Sequence, residues 1–336
     1  MQVVRCRPEE RFVKATPSHP CPICGRSDWC GFNSYLASCM RVREGAFKEV
    51  TLANGQVAYL HRLESGRGNL AAYQFSGPVL AAQTAPVERR DREYRDFLSL
   101  LSLYPRHRQD LLRRGLGERE IRMEGYQSVP EIEASWIICR RLSDLGHDLA
   151  GIPGFYKAAG PHGGTYWTFD RRPGYFIPLR DEKGRIQALQ RRMDDCRGGK
   201  YRLFSGRKNQ GGCSCGTPAH VAMPAEINDR RVWITEGPLK SAVASLYLGA
   251  VVVGALSAGS WRPVIPVVQS LRASEVILAY DWDLETNLEV GRAFDSLRAE
   301  LTEIGLTVNR AVWKGTKGID DALEAGTEVR VVQDKW

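Results

Sequence analysis

The stretch Val232-Trp233-Ile234-Thr235-Glu236-Gly237 decides the fold of the C-terminal part of the chain. Its first four residues are apolar or β-branched, which is typical of a strand buried in a sheet. The strand ends in a carboxylate and a glycine, and a helical pattern over residues 238–248 follows at once. In open α/β sheets ligands bind at the carboxyl ends of the strands. We therefore predict that Glu236 lies at a binding edge.

Two further acidic clusters follow apolar runs in the same way. Residues 276–280 lead into Asp281-Trp282-Asp283, and residues 308–313 lead, after a short loop, into Asp320-Asp321. Hard cations such as Mg²⁺ take oxygen ligands, usually one or two carboxylates together with substrate phosphates. Three strand ends that deliver carboxylates to one edge therefore predict a divalent-metal site.

Strand and helix patterns alternate from Arg231 onward, which indicates an α/β unit with a largely parallel sheet. The chain contains no P-loop pattern, so it encodes no P-loop ATPase, and the lack of G-x-G-x-x-G after a strand argues against a dinucleotide site. The predicted elements are strands at 232–235, 250–254, 275–280, 307–313 and 328–333 and helices at 238–248, 263–272, 286–304 and 320–325.

The bulk composition, with 43% hydrophobic and 26% charged residues, is ordinary for a globular chain. A length of 336 residues leads us to expect two or three domains. No apolar run approaches the ~20 residues that span a bilayer. Residues 1–10 also lack the apolar core of a signal peptide. We therefore expect a cytoplasmic protein without a membrane partner.

The net charge of +8 is concentrated in one segment. Residues 171–208 contain twelve Lys and Arg against four Asp and Glu, so this segment accounts for the whole positive excess. A localised basic stripe is typical of a polyanion partner, and a solvated charged face is the alternative. Within the segment, residues 174–180 and 185–192 are predicted to form a hairpin around the turn at 181–184.

Cysteine spacing predicts a zinc site near the N-terminus. Of nine cysteines, four lie within residues 21–39 in the order C-x2-C-x5-C-x8-C. Structural Zn²⁺ binds four such ligands in a tetrahedron, and in so small a domain the metal supplies folding energy. Residues 20–62 also show strand alternation around a hairpin signal at Asn54-Gly55, which indicates a zinc-stapled β ribbon. The predicted ligands are Cys21, Cys24, Cys30 and Cys39, with His61 as the substitute if Cys30 is not a ligand.

Helical periodicity extends over residues 89–145, with Pro105 as a break. Four arginines of this stretch could meet phosphate or belong to a solvated helix face, namely Arg106, Arg108, Arg113 and Arg114. The predicted fold class is multidomain α+β. The predicted domains are a zinc-binding ribbon (1–64), a linker (65–88), a mixed helical and basic β segment (89–228) and an α/β domain (229–336).

The acidic trio resembles the TOPRIM domain of bacterial-type primases, topoisomerases and some nucleases. That domain has a strand ending in Glu-Gly, a later strand ending in Asp-x-Asp, and a third acidic position. Here these are Glu236-Gly237, Asp281-x-Asp283 and Asp320-Asp321, in the same order.

Upstream the resemblance narrows to the DnaG-type primases. Residues 176–180, 188–192 and Lys200-Tyr201 are similar to that family's basic strand segment, and residues 112–117 to its helical segment. The N-terminal ribbon matches the family's template-reading module. The likeness is greatest to primase-like proteins of phages and mobile elements that carry a zinc ribbon and a TOPRIM unit.

This resemblance implies a DNA primase, a nucleotidyltransferase that makes short RNA primers on single-stranded DNA from ribonucleoside triphosphates. It implies structural Zn²⁺, catalytic Mg²⁺ or Mn²⁺, and a separate replicative helicase as partner. The implied catalytic and metal-binding residues are Glu236, Asp281, Asp283, Asp320 and Asp321. The implied nucleotide- and DNA-binding residues are Arg180, Arg185, Arg191, Arg192, Lys200 and Tyr201. Lys240 is a further candidate for nucleotide binding because of its own charge, not because of the resemblance.

Two positions depart from the family pattern. The family has Glu-Gly-x-x-Asp, and here Lys240 stands at the last position. A cation there lowers the negative charge available to metal and is able to hold a nucleotide phosphate as a point charge. The cysteine spacing also differs from the family's C-x2-H…C-x2-C set. The alternative functions are a catalytically inactive replication factor that binds single-stranded DNA, and a TOPRIM nuclease.

Overall fold

The computed structural model describes residues 13–33, 36–51, 56–63, 83–160, 164–197, 199–281 and 287–333. The chain divides into two compact units, Met1–Pro78 and Val79–Trp336. Among the described residues, no helix combines the length and the apolar character needed to cross a membrane.

The first unit is a small antiparallel sheet beside a cysteine cluster. Its strands are β1 (Val13–Lys14), β2 (Gly31–Phe32), β3 (Leu36–Cys39), β4 (Lys48–Thr51) and β5 (Val57–Arg62), in the spatial order β1-β2-β3-β5-β4. Among its described residues the buried apolar ones are Ala15, Ala37, Ala58 and three cysteines, and Ala15 and the cysteines pack against partly buried neighbours such as Ile23 and Phe32. The predicted turn residues Asn54 and Gly55 lie outside the described residues.

The second unit begins with helices α1 (Val87–Ser99), α2 (Pro105–Leu112), α3 (Glu118–Glu124) and α4 (Ser135–Asp144). Pro105, predicted as a break, is the first residue of α2, a position where the missing N–H has no helical partner to lose. Phe97 on α1 contacts four other phenylalanine rings, with centroid distances between 5.1 and 5.8 Å. These rings form the centre of the core of this part of the unit.

The predicted basic hairpin is present. The strands of this region are β6 (Gln127–Ser128), β7 (Phe155–Ala159), β8 (Thr165–Phe169), β9 (Gly174–Arg180), β10 (Ile186–Met193) and β11 (Tyr201–Leu203). β9 and β10 pair antiparallel within a sheet of order β11-β10-β9-β6, while β7 and β8 pair with each other. Successive side chains of a strand point to opposite faces. Phe176 therefore joins the phenylalanine core, while Tyr175 and Ile177 pack on the other side.

The C-terminal part has the predicted alternation of strands and helices. The strands are β12 (His220–Ala222), β13 (Asp229–Glu236), β14 (Ala250–Ala255), β15 (Glu275–Leu278), β16 (Thr307–Val312) and β17 (Arg330–Val332). The helices are α5 (Pro238–Leu248), α6 (Val264–Ser270), α7 (Leu288–Glu303) and α8 (Ile319–Glu324). The sheet has the order β12-β14-β13-β15-β16-β17, and only its two outer strands pair antiparallel to their neighbours.

Both faces of this sheet are covered, which explains the continuous apolar runs in the sequence. Ile234 packs with Val268 and Leu297 on the face that carries α6 and α7. Trp233, one residue earlier, packs with Ala244 and Ile319 on the face that carries α5 and α8. The expected α/β domain with a largely parallel sheet is confirmed.

A third apolar cluster joins the two halves of the second unit. Leu111 and Ile121, from the helical segment, pack together with Tyr175 of β9 and with Leu239 and Val243 of α5. All five side chains are less than a tenth exposed. Because α5 follows Glu236 directly, this cluster fixes the helical and basic segments against the acidic edge of the sheet.

Candidate active site and zinc site

The acidic residues lie at the carboxyl edge of three adjacent parallel strands. Glu236 is the last residue of β13, Asp281 follows the neighbouring β15, and Asp320 lies in the first turn of α8, which follows β16. Asp321 is the next residue of α8, and Asp283 lies outside the described residues. Parallel strands direct their carboxyl ends to one edge, so the order of the strands brings these groups together.

A cavity of about 500 Å³ opens at this edge and is lined by both halves of the second unit. The sheet edge contributes carboxylates, and the helical and basic segments contribute cations and a tyrosine. The charged and polar lining residues are Arg114, Gln190, Lys200, Tyr201, Glu236, Lys240, Ser257, Asp281, Lys317, Asp320 and Asp321. This places seven of the predicted site residues around one space.

Glu236 lies in a mixed electrostatic environment. Burial raises the pKa of its carboxyl group, and the nearby Asp281 charge raises it further. The Lys240 ammonium and hydrogen bonds from the backbone at Ala258 and Asp281 act in the opposite direction without cancelling the rise. Glu236 is thus harder to ionise than a solvated glutamate, and a cation bound in the cavity favours its charged form.

Lys240 lies within the acidic group. It is in the first turn of α5, and its Nζ donates to Oδ1 of Asp281 in an ion pair whose side chains are 18% and 14% exposed. Gly237 allows this approach, because the chain passes from β13 into α5 with a φ of 84° at that residue. Side chains with a Cβ rarely adopt this conformation.

Asp320 has the only cavity-lining carboxylate oxygen in the described part of the chain that is buried without a hydrogen-bond partner. Burial raises the pKa of this carboxyl group even though Lys240 acts to lower it. A buried oxygen without a hydrogen-bond donor lowers the stability of the fold unless it binds a ligand. Together with Glu236 and Asp281 it forms an oxygen donor set that fits a hard divalent cation.

The carboxylates are spread around the cavity. Among the described residues, no three of them bring oxygens within the 4.8 Å that would enclose an ion, and only the cysteine cluster meets that distance. Hard cations such as Mg²⁺ usually keep waters and take substrate phosphates as further ligands. The edge therefore suits an ion that is bound jointly with a phosphate-bearing substrate.

The cationic part of the cavity comes from Arg114 and Lys200. Lys200 precedes Tyr201, the first residue of β11, and its Nζ lies 5.7 Å from the tyrosine ring centroid. Burial lowers the pKa of Lys200, and the charges of Arg114 and Arg192 lower it further. Like charges held this close favour a phosphate between them. Tyr201 is 38% exposed, so part of its ring is accessible.

Two of the other predicted arginines point to opposite faces of β10. Arg191 has a side chain that is only 3% exposed, and it donates to the carboxylate of Asp170 at 3.0 Å. Arg192 points to the other face, where its guanidinium lies 3.4 Å from Asp110 and over the ring of Tyr175. Neither residue lines the cavity.

Arg180 and Arg185 are also outside the cavity lining. Arg180 donates to the carbonyl oxygens of Met123 and Glu124 at the C-terminus of α3, at 3.2 and 3.0 Å. Arg185 pairs with Asp181 at 2.7 Å and with Glu88 of α1. Their contacts hold the hairpin against the helices, and their predicted contact with nucleic acid stays a prediction.

Three of the charged and polar cavity residues were not predicted as site residues from the sequence. Gln190 lies on β10, Ser257 follows β14, and Lys317 precedes α8. Lys317 directly precedes the Gly318-Ile319-Asp320-Asp321 run, so its neighbourhood was a usable signal. Gln190 has no such signal, because only the register of β10 shows which face it occupies.

The four predicted cysteines form a cluster in the first unit. Their sulfurs all lie within 4.8 Å of one another. Backbone N–H groups of Met40 and Val42 donate to the sulfurs of Cys30 and Cys39, each at 3.4 Å. Tetrahedral soft-ligand sets of this kind bind structural zinc. The cluster therefore fits the predicted zinc ion.

His61, the alternative ligand, has a different partner. Its Nε2 lies 2.8 Å from the carbonyl oxygen of Val42, so that nitrogen donates a hydrogen bond. Burial, together with the neighbouring thiols Cys24 and Cys21, raises the pKa of Cys30 to about 12. Crowded thiols repel one another when ionised, and a bound cation is what allows all four to ionise.

Two solved structures have a similar fold. One is the crystal structure of the Aquifex aeolicus primase with its zinc-binding and RNA polymerase domains, which is 16% identical with a TM-score of 0.51 and matches 79% of this chain and 64% of that chain. The other is the RNA polymerase domain of Mycobacterium tuberculosis primase DnaG in complex with a double-stranded DNA oligomer with a 6-nucleotide overhang. It is 15% identical with a TM-score of 0.52, and the match covers 71% of this chain and 77% of that chain.

No protein-family model and no curated protein matches the chain. The chain spans less than two thirds of the Aquifex aeolicus structure, and at these identities the likeness concerns the fold. The fold that the acidic trio, the basic hairpin and the cysteines predicted is confirmed: this chain has the fold of the zinc-binding and RNA polymerase domains of primases.

Proposed function

We propose that this protein is a DNA primase that synthesises short RNA primers on single-stranded DNA. One observation carries the proposal: cations of the basic and helical segments and the carboxylates of the sheet edge line the same cavity of about 500 Å³. Joining nucleotides needs both, because the triphosphate needs cations and the divalent ions need oxygen ligands. The similar fold of the two primase structures supports the proposal.

The reaction joins two ribonucleotides. A bond forms between the 3′-oxygen of one and the α-phosphorus of the next, and the bond from that phosphorus to the bridging oxygen breaks as pyrophosphate leaves. A divalent ion, Mg²⁺ or Mn²⁺, supplies neutralisation of the phosphate charge and lowers the pKa of the attacking hydroxyl. Glu236, Asp281 and Asp320 would hold it, and Asp321 and Asp283, of which only Asp283 lies outside the described residues, complete the predicted set.

The chain's own side chains orient the substrate. Arg114 and Lys200 hold the triphosphate or the template backbone as cations, and Tyr201 offers an accessible ring for a base. Stacking of this kind contributes ~1–3 kcal/mol per base. Glu236 is placed either to hold the ion or to take the proton of the 3′-hydroxyl.

The zinc unit is proposed to read the template. Trp29 is 63% exposed, and it lines a cavity of about 390 Å³ together with Arg41 and Tyr59. Exposed aromatic rings next to a cation are a general platform for single-stranded bases. A separate replicative helicase is proposed as the partner that unwinds the duplex.

The decisive assay incubates the zinc-loaded full chain with single-stranded DNA, labelled ribonucleoside triphosphates and Mg²⁺ or Mn²⁺. We expect ribonucleotide oligomers, and about 10²-fold less product from Glu236→Gln, as for loss of a catalytic carboxylate. Glu300→Gln is the matched control, because Glu300 is exposed on α7, and it should retain full activity. Cut DNA would indicate a nuclease, and retained DNA without oligomers would indicate a binding protein; either result contradicts the proposal.

A further inference from the structure

Lys240 lies where the acidic residues converge. Its Nζ donates to Oδ1 of Asp281, and it lies 3.2 Å from the point where a Cβ on Gly318 would sit. Oδ1 of Asp320 approaches the same point. Gly318 has no side chain, and the space this leaves is shared by the ammonium group and the Asp320 carboxylate. The lysine therefore stands between the carboxylates of two strand ends.

The lysine charge acts on three carboxylates of the edge. It is paired with Asp281, and it is among the charges that favour ionisation of Glu236 and of Asp320. A divalent ion at an acidic edge acts in the same way on its ligands. The ammonium thus performs part of the electrostatic role of a metal without being exchangeable.

A phosphate ligand would be placed differently. Lys200 lies near the charges of Arg114 and Arg192, where a phosphate lowers the repulsion between the cations. Lys240 already has a carboxylate partner, and its side chain is only 18% exposed. Moving it to a phosphate would leave Asp281 unpaired although its side chain is only 14% exposed, which is costly. Its surroundings therefore favour a structural role within the edge.

We propose that the Lys240 ammonium is a built-in cation that takes the space of one divalent ion, so that the edge binds a single divalent ion. Enzymes that transfer nucleotidyl groups often hold two such ions about 3.5–4 Å apart. Here Asp281 is shared between the lysine and the remaining ion. This inference rests on the proposed function for the presence of a divalent ion at the edge.

The test counts bound Mn²⁺ on the full zinc-loaded chain by electron paramagnetic resonance, without nucleotide or DNA. We expect wild type to bind a single Mn²⁺ ion, and Lys240→Gln and Lys240→Asp to bind a second. Lys240→Arg keeps the cation and should keep the single ion. Lys317→Gln is the matched control, because it removes one positive charge from the same cavity, and it should also keep the single ion.

Circular dichroism and zinc content establish that each variant is folded. Two Mn²⁺ ions on wild type overturn the inference whatever the variants do. An unchanged number of ions on Lys240→Gln and Lys240→Asp overturns it as well. A second ion on Lys317→Gln also overturns it, because the loss of any positive charge from the cavity would then have the same effect. If neither wild type nor any variant binds Mn²⁺, the inference is overturned, whereas the proposed function, in which the ion is held together with a phosphate-bearing substrate, is decided by the primer assay.

Discussion

The two predicted metal-binding regions of this chain are built in opposite ways. The cysteine sulfurs of the first unit lie within 4.8 Å of one another, in a unit with few buried apolar side chains. The carboxylates of the second unit surround a cavity of about 500 Å³ at the edge of a sheet that is packed on both faces. In the first region the proposed zinc ion would stabilise the fold, and in the second the fold holds the carboxylates apart.

The difference follows from where the stabilising free energy arises. A small unit buries too little apolar surface to fold alone, so metal binding supplies the folding free energy. A doubly covered sheet is stabilised by apolar burial, and it can tolerate unfavourable groups at its edge. We therefore expect the first unit to depend on its metal ligands for folding, and the second unit to fold without its edge carboxylates.

Removal of zinc should have the largest effect. Cys39→Ser removes a fully buried ligand, and the zinc contribution to folding in such sites is about 10 kcal/mol or more at neutral pH. We expect residues 36–63 to lose amide exchange protection, while residues 83–333 keep theirs, as measured by hydrogen-exchange mass spectrometry. Cys196→Ser, at an exposed cysteine of the second unit, is the control. Retained zinc and retained protection in Cys39→Ser would show that the first unit does not depend on the metal.

The order of strands and helices after Arg231 was predictable because each element is short, continuous in pattern and bounded by a glycine or a polar residue. Gly237 and Gly249 mark the two ends of α5 in the sequence as they do in the structure. The zinc ligands were predictable for a similar reason. Cysteines have few other uses at that spacing, and all four ligands lie close together in the sequence.

The cavity was less predictable, because it depends on which face of a strand each residue occupies. From their charge, Arg191 and Lys200 were predicted to belong to the same binding site. The register of β10 instead directs Arg191 toward Asp170 and brings Gln190 to the cavity. The sequence also placed Lys240 one helical turn after Glu236. That its partner is Asp281, forty-one residues away, follows only from the pairing of β13 with β15.

Low pH should destabilise the second unit through His220, a buried histidine of β12. Burial, together with the charge of Arg180, lowers the pKa of His220 to about 3, and its Nδ1 accepts the backbone N–H of Arg180 at 3.0 Å. In the unfolded chain the pKa is about 6.5. The neutral ring therefore stabilises the fold fully above pH 6.5, and this stability is lost as the pH falls from 6.5 toward 3. At pH 5 the loss is about 2 kcal/mol.

The measurement is urea unfolding of wild type and His220→Asn at pH 7 and pH 5, followed by exchange protection of residues 220–255. The variant should lose about 2 kcal/mol less than wild type between the two pH values, because it has no imidazole to protonate. His19→Asn, at an exposed histidine of the first unit, should match wild type. Equal losses in wild type and His220→Asn would show that His220 does not carry the acid sensitivity.

The smallest expected effect is a gain in stability, whereas Cys39→Ser is expected to cause a loss. Asp320→Asn replaces a carboxylate whose pKa is raised by burial and whose Oδ1 has no hydrogen-bond partner. A raised pKa means that the charged form costs stability at pH 7, so the neutral amide should raise the free energy of unfolding of the second unit by about 1 kcal/mol. Urea unfolding without added divalent ions measures this.

Asp321→Asn is the matched control, because Asp321 is the next residue of the same helical turn and is exposed. Its stability should change by no more than about 0.5 kcal/mol. If Asp320→Asn instead destabilises the unit, the attraction between Asp320 and Lys240 outweighs the cost of burying the carboxylate. The acidic edge would then resemble the cysteine cluster in holding its own fold together, and the contrast between the two regions would not hold. A stabilised Asp320→Asn that no longer makes primers would show that the edge gives up stability in order to bind metal and phosphate.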